Sequence, residues 1–479
     1  MIFSTRSRPR TKIVCTLGPS VQSRSSIRQL VKAGMNVARL NMAHGTMEDH
    51  TTAFGHVRSI AEELKRPVGI MVDVPGPKYR TGDVPSGSIS FKEGRRVTLT
   101  SRQDGADGED FVVPVKPAGI HRDARPGNRV LLNDGMITLE IREVQGEDVH
   151  CEALTAGRIT PGRGVTTPGV EPSQPFPDEK ATAAMGFAAR QQADFVALST
   201  VTTSDDVAKA REILLAMGFG GGIYSKVERS RAVTNQASII NESDGIIVAR
   251  GDLGTEIRLA RVPVVQKELI ALCNELGKPV ITATQMLESM ISLPVPTRAE
   301  VTDVANAVFD GTDAVMLSGE TSIGRYPLEA VRVMAEVSME AEKALPYDAM
   351  LVDKRDHLEP LTDDAISYNA CQTAHQLGAS LIVAFTESGG TAKRVSKYRP
   401  RTPILALVHN ERTRRSLTVT WGVQPVTTRS LEQTDDFFDR AREEAVRRVG
   451  LKKGALVVLV AGVPIGHPGG TDLLRVLTI

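Results

Sequence analysis

Two carboxylates and a lysine, close together near the middle of this 479-residue sequence, have the types and spacing to handle an anion beside a metal ion. Glu228 directly follows the apolar run Gly222–Val227. Asp252 follows the run Gly245–Ala249, within Ala249-Arg250-Gly251-Asp252-Leu253-Gly254. Carboxylates at the ends of adjacent strands can share one hard divalent cation, and Mg²⁺ is ordinarily held by one or two carboxylates plus substrate oxygens. A lone acidic residue in a loop is as a rule a solvated surface group. Two at strand ends, with Lys226 two residues before Glu228, point instead to a site. Alternate residues of a strand share a face, so the Lys226 ammonium and a metal on Glu228 would converge on one anion. Leu253-Gly254 suit the start of a helical turn whose N–H groups can cradle a carboxylate or phosphate. Thr282-Ala283-Thr284-Gln285-Met286 closes the next apolar run with hydroxyls. Arg39, Asn41 and His44 end an earlier run, and Asp73 and Arg80 follow another. Cations, a carboxylate pair and an N–H nest on one rim describe an anion-handling site. There is no Walker A sequence, and the glycine-rich Gly218–Gly222 lacks dinucleotide-loop spacing.

The elements that must position these residues alternate between short apolar strands and amphipathic helices, the signature of parallel β/α architecture. Eight strands are expected: Lys12–Gly18, Met35–Met42, Val68–Val74, Asp194–Thr200, Gly222–Val227, Gly245–Ala249, Pro279–Thr284 and Ala314–Ser318. Helical stretches between them include Ile27–Ala33, Ser204–Met217, Pro263–Leu276 and Thr297–Phe309. Eight units predict a closed (β/α)8 TIM barrel, with chemistry at the strand C-terminal ends; a doubly wound sheet is the alternative the count leaves open. The stretch from Tyr79 to Pro175 reads as a small inserted β domain with strands Ile89–Phe91, Arg96–Leu99, Arg129–Leu132, Met136–Ile141 and Val149–Leu154, and turn-rich Gly157–Pro175 as its return linker. The expected division is barrel over 1–78 and 176–350, insert over 79–175, and a separate C-terminal α/β domain over 351–479.

Composition narrows the function classes. Lys plus Arg total 58 against 57 Asp plus Glu, so charge argues for neither nucleic acid nor an anionic membrane. The basic start (Arg6, Arg8, Arg10, Lys12) lacks interleaved aromatics and reads as a solvated terminus. No run approaches the ~20 apolar residues of a membrane span, and no signal peptide is expected. Four cysteines (Cys15, Cys151, Cys273, Cys371) lie far apart, as free thiols of a cytoplasmic protein would.

Longer motifs bring a family into view. Lys12–Pro19, Gly34–Asn41, Gly76-Pro77, Lys226-Val227-Glu228, Ala249–Gly254, Ala283–Met290, Pro296–Glu300, Asp303–Ala307, Leu317–Thr321, Thr386–Ala392 and Ala461–Ile465 resemble, in order, the pyruvate kinases. The resemblance implies Mg²⁺- or Mn²⁺-dependent phosphoryl transfer between phosphoenolpyruvate and ADP/ATP, a β-barrel lid on the TIM barrel, a regulatory C-terminal domain and a homotetramer. It implies Glu228 and Asp252 as metal ligands, Lys226 as neutraliser of the transferring group and Arg39 as the grip on the substrate phosphate. Gly251, Asp252 and Thr284 would hold the carboxylate, with Thr284 near the site of enolate protonation. Arg80 would assist substrate binding, and Asn41, His44 and Arg163 would face the nucleotide, Arg163 where the family ordinarily has lysine.

The departures are specific. The family's monovalent-cation site keeps Asn41 and Asp73 but has Ala43 for its serine, and Lys78 stands where potassium-dependent members have glutamate. The expectation is that Lys78 supplies the missing charge and potassium is not required. Val74-Pro75, Ala181, Thr202 and Ile323 also depart from the family pattern. Thr386, Ser388, Gly389, Gly390 and Thr391 form a strand-to-helix loop suited to a phosphate, and the resemblance makes it the site of a phosphorylated effector. Two other functions compete: a metal-dependent lyase acting on pyruvate or oxaloacetate, and a catalytically weakened sensor. A lyase would need neither Lys226 nor a nucleotide-facing rim.

Overall fold

A computed structural model of the chain describes residues 8–84, 87–102, 111–133, 135–170, 173–174, 176–428, 434–462 and 470–479. Arg6, the end of the Ala461–Ile465 motif and Pro175 lie outside them. Eight apolar segments, Lys12–Leu17, Val37–Asn41, Gly69–Val74, Phe195–Leu198, Gly222–Val227, Gly245–Ala249, Val280–Ala283 and Ala314–Leu317, pair in parallel. The first pairs with both the second and the last, which closes the barrel. Nearly every strand residue is buried because helices cover the outer face and side chains fill the inside. Phe195 and Tyr224 meet edge-to-face at 5.4 Å near the floor. Gly69 and Gly245 make room for them: a Cβ would stand 2.7 Å from the Phe195 ring and 2.2 Å from the Tyr224 ring.

Capping boxes begin several barrel helices. Thr46 with Asp49 starts Met47–Glu63, Thr203 with Asp206 starts Ser204–Ala216, and Thr297 with Glu300 starts Arg298–Asp310. Each pair satisfies N–H groups left free at a helix start.

The insert closes a seven-stranded barrel of its own. Its strand order is Asp148–Ala153, Arg96–Thr100, Val112–Lys116, Tyr79–Thr81, Gly164–Thr166, Arg129–Leu132 and Ile137–Gln145. Here the structure corrects the reading of Gly157–Pro175 as a linker: Gly157–Ile159 pairs with Ile89–Phe91, and Gly164–Thr166 is a strand of the small barrel. Both strands lie in a turn-rich stretch, and their existence depends on partners distant in sequence. Gly157 is required there, since its Cβ would stand 2.5 Å from Ile137.

The C-terminal domain has a five-stranded sheet ordered Val423–Thr427, Ile404–Val408, Leu381–Phe385, Leu456–Ala461, Leu473–Thr478, with the last strand antiparallel. It caps the barrel floor. The buried Arg399–Asp313 ion pair spans the junction at 3.0 Å, Lys12 Nζ donates to the Val423 carbonyl at 2.7 Å, and Val419 packs among barrel-interior residues. No helix among the described residues is long and apolar enough to cross a membrane.

Candidate active site

The open end of the barrel gathers its charges around Asp73. This carboxylate, 2 % exposed, accepts from Arg39 Nε at 2.7 Å, is ion-paired to the same guanidinium at 2.5 Å, and accepts from Ser199 Oγ at 3.1 Å. Lys226 Nζ stands 3.8 Å from Asp73, donates to Ser199 Oγ at 2.9 Å and lies 3.0 Å from Glu228 Oε2. Burial alone would lower the Lys226 pKa. Asp73, Glu228 and Asp252 override it and hold the ammonium well above its ordinary value. Burial likewise pushes Asp73 up, but Lys226 and Arg39 bring its carboxyl below the usual range. Lys226 is therefore a permanent cation, fixed by two acids and a hydroxyl.

Asp252 opens the short helix Arg250–Glu256 and shares a cleft with Glu228, Thr200, Glu256 and Lys78. Its carboxylate is ion-paired to Lys78. Burial pushes its pKa up, yet the Lys78 and Lys226 ammoniums hold it below the ordinary carboxylate range. Three buried oxygens in this cleft, Glu228 Oε2, Thr200 Oγ1 and Glu256 Oε1, accept no hydrogen bond. Glu228 Oε1 in contrast accepts from the Thr200 N–H at 2.8 Å. A carboxylate oriented through Oε1, whose Oε2 accepts no hydrogen bond and meets only the Lys226 ammonium at 3.0 Å, opposite a second carboxylate, fits a hard divalent cation. Among the described residues there is no cluster of three or more His, Cys, Asp or Glu side chains for a metal, so such an ion would complete its shell from substrate and water.

Thr284 faces Asp252's helix. Its hydroxyl accepts from the Gly251 N–H at 2.7 Å, an approach a side chain at Gly251 would crowd. Thr284 has φ +68°, a strained conformation for a β-branched residue. Arg250 clamps it, donating to the Thr284 carbonyl at 2.8 Å while ion-paired to Asp303 at 2.7 Å. Glu320, fully buried, ties the last two barrel loops by accepting from Leu287 N at 3.0 Å and Ser318 N at 2.8 Å. Sequence reasoning did not assign Ser199, Arg250 or Glu320 to the site. The positions of Arg250 within Ala249–Gly254 and of Glu320 within Leu317–Thr321 gave the signal that could have found those two.

Asn41 and His44 line a second cleft of about 400 Å³, together with Leu17, Val21, Leu40 and Ile323. Its apolar walls suit a flat, weakly polar ring. His44 has its pKa lowered by burial and by Arg80, Lys180 and Arg39, which favours the neutral imidazole. Arg163 does not reach this cleft: it stays on the lid, with Nε donating to Thr160 Oγ1 at 3.0 Å. Arg80 donates to the Gly162 carbonyl at 2.9 Å. Lys78 is brought to Asp252, while Asn41 Oδ1 accepts from the Ala43 N–H at 3.2 Å and Asp73 is held by Arg39 and Ser199. Thr202 donates to Asp206 and Ala181 N–H to Asp178, so neither departure strands a charge.

In the C-terminal domain, the Thr386–Thr391 loop leads into the helix Gly390–Lys397. Thr386 Oγ1 accepts from Gly389 N–H at 2.9 Å, and Thr391 Oγ1 is bonded to Thr471 Oγ1 at 2.9 Å. Gly389 has φ +94°, which favours glycine, and its Cβ would stand 3.2 Å from Leu417. Ser388 is exposed.

Comparison with known proteins accords with this geometry. Residues 8–331 match the family model described as "Pyruvate kinase, barrel domain", and residues 364–477 match "Pyruvate kinase, alpha/beta domain". The chain is 41% identical over 469 residues to the pyruvate kinases of Staphylococcus aureus strains USA300 and N315, covering 98% of this chain and 80% of each relative. A crystal structure of a pyruvate kinase from Cryptosporidium parvum superposes with a TM-score of 0.92 at 35% identity, covering 100% of this chain and 98% of that one. With two domains matched in order and the fold shared end to end, the chain belongs to the pyruvate kinase family.

Proposed function

We propose that the chain catalyses magnesium-dependent phosphoryl transfer from phosphoenolpyruvate to ADP, giving pyruvate and ATP. The bond between phosphorus and the enol oxygen breaks, an ADP β-phosphate oxygen forms the new bond, and the enolate takes a proton on its terminal carbon. The observation that carries this reading is the fixed Lys226 ammonium between Asp73 and Glu228, beside the cleft that holds Asp252. Phosphoryl transfer depends mainly on positioning and on neutralising charge as it spreads over oxygens.

Glu228 and Asp252 would hold Mg²⁺ or Mn²⁺, which when bound neutralises phosphoryl and enolate oxygens. Lys226 lies where charge develops during transfer. Arg39, preset by Asp73 and Thr16, presents its guanidinium to the substrate phosphate, with Arg80 as a further cation. Thr284, Gly251 and Asp252 form the edge on which the carboxylate would rest, with the Thr284 hydroxyl near the carbon to be protonated. The apolar cleft of Asn41 and His44 suits the nucleotide base, and Arg163 would approach the nucleotide from the lid. Lys78 places a tethered cation beside this site, which supports activity without potassium. The Thr386–Thr391 loop is proposed as the site of a phosphorylated effector, principally through the exposed Ser388 and the backbone at Gly389 and Gly390. A cytoplasmic homotetramer completes the proposal by family resemblance.

A coupled assay of pyruvate release from phosphoenolpyruvate tests the reading. Pyruvate formed only when ADP is present supports the kinase. Release independent of ADP points to the lyase class, and no release from a folded, metal-loaded protein points to a sensor.

A further inference from the structure

The Lys78–Asp252 ion pair joins lid to barrel, and what holds Lys78 at that place lies behind it, inside the lid. Lys78 immediately precedes the lid strand Tyr79–Thr81. Successive residues of an extended chain point to opposite faces. Lys78 accordingly turns to the cleft, while Tyr79, 4 % exposed, enters the lid core in one apolar cluster with Ile120 and Ala124. Tyr79 Oη donates to Asp123 Oδ2 at 2.5 Å. Asp123 ends the one-turn helix Ile120–Asp123 and is itself buried. Among the described residues, Asp252 is the one polar partner of the Lys78 ammonium, so the place of that ammonium depends on the backbone at Tyr79.

The same carboxylate takes the chain on its way back to the barrel. Ser173 N–H donates to Asp123 Oδ1 at 3.0 Å and to Oδ2 at 3.1 Å, and the neighbouring Gln174 Nε2 donates to the Ala118 carbonyl at 2.8 Å. Gly119 lets these groups meet. It has φ +136°, and a Cβ there would stand 3.3 Å from both Tyr79 Oη and Gln174 Nε2. Outgoing and returning chains are thus tied to one acid. Burial, together with the bond to Asp123, pushes the Tyr79 hydroxyl well above its ordinary pKa, so Tyr79 keeps its proton and donates. Two donors converging on one side chain need two acceptor oxygens; an asparagine would offer one and turn its NH₂ toward the other donor.

We propose that Asp123 is a positioning residue for the reaction: by holding Tyr79 and Ser173 together it fixes the backbone at Lys78, and with it the place where the Lys78 ammonium meets Asp252. The inference rests on the reading of Asp252 as a metal ligand and of Lys78 as the tethered cation beside it. Asp123 lies inside the lid and reaches the site through Tyr79 and Lys78. Loosening this clasp frees Lys78 from Asp252, which exposes the amine and leaves the carboxylate to the metal.

Two measurements on the full-length protein test it. In the metal-free protein, acetylation of Lys78 by acetic anhydride is followed by peptide mass spectrometry against Lys343, an exposed lysine of the barrel surface. An amine paired inside a cleft is shielded. Asp123→Asn is expected to raise the relative rate at Lys78 about two- to fivefold, the range of a partly exposed ion pair. Tyr79→Phe removes one hydroxyl and keeps the ring, so it gives the same readout if Asp123→Asn disturbs the lid. An unchanged rate in both variants overturns the proposal. The second measurement is Mn²⁺ affinity by electron paramagnetic resonance. Asp123→Asn is expected to bind more tightly than the unmodified protein, and Asp123→Asn with Lys78→Met no more tightly than Lys78→Met alone, because both changes remove one contact. Additive effects would make Asp123 a support of the lid fold only, and overturn the positioning role. If Lys78→Met leaves Mn²⁺ binding unchanged while Asp123→Asn still unmasks Lys78, the metal reading of Asp252 fails and the positioning role stands.

Discussion

Lys78 Nζ is ion-paired to the Asp252 carboxylate, so the residue just before the lid's first strand holds the acid assigned to the metal. Lys78 sits in the cleft where lid and barrel meet, with Pro77, Tyr79 and Val165. The ammonium thus has two relations to the site. It is a tethered positive charge beside the substrate pocket, and it competes for a metal-binding carboxylate.

That double role separates metal affinity from activity. Lys78→Met is expected to bind Mn²⁺ a few-fold more tightly in electron paramagnetic resonance titrations, since a partly exposed ion pair is worth ~1 kcal/mol or less, while its turnover falls. Weaker Mn²⁺ binding in the variant would mean that Lys78 does not compete at Asp252.

The same lysine sets the response to monovalent cations. Rates measured with Mg²⁺ and with sodium, potassium or tetramethylammonium as the only other cation are expected to be equal. Lys78→Glu is expected to collapse and to be partly restored by potassium. Strong potassium activation of the unmodified protein would rule out the tethered-charge role.

Asp252→Asn keeps the shape of the side chain and removes its charge. Turnover is expected to fall by about two orders of magnitude or more, as for loss of a major electrostatic contact, with weaker Mn²⁺ binding and an unchanged circular dichroism spectrum. Near-normal turnover would take Asp252 out of the metal site.

Lys226→Met removes a cation aimed at charge that develops in the transition state, so kcat should drop steeply and KM shift modestly. It also removes the ammonium that lies between Asp73 and Glu228, and a lower Tm should accompany the kinetic loss. A variant that only raises KM would make Lys226 a substrate anchor.

Asp73 gives a pH test with a fixed sign. Its folded pKa is held below the unfolded value of about 3.9 by Lys226 and Arg39, against the effect of burial. Its contribution to stability is therefore present above the unfolded pKa and is lost as pH falls through the folded pKa. Asp73→Asn should be less stable than the unmodified chain by ~3–5 kcal/mol at pH 7, because two cations lose their buried partner. The gap in urea midpoints should narrow below about pH 3.9; an equal gap at pH 7 and pH 3 would show that Asp73 is not the titrating group.

The barrel strands were legible because strands covered on both faces read as short unbroken apolar runs. Gly222–Val227 and Gly245–Ala249 have the bounds expected from sequence, and the other six differ by one or two residues at their ends. Strand ends in turn located Glu228, Asp252 and Lys226. Of the lid's three-residue strands, Ile89–Phe91 was legible from its apolar ends, whereas Gly157–Ile159 and Gly164–Thr166 lie in a turn-rich stretch and are defined only by partners distant in sequence.

The sequence by itself determined which residue types stand at the strand ends, and with them the chemistry and the family. It also determined that Lys78, Ala43 and Ile323 depart from the family pattern. Only the tertiary structure decided the partners: Lys78 on Asp252, Ser199 between Lys226 and Asp73, Arg250 clamping Thr284, and Arg412 against Gly220. The reason is that the local pattern of strand and helix is set by near neighbours along the chain. An ion pair such as Lys78–Asp252 joins residues 174 positions apart, and it exists only once lid and barrel have closed on each other.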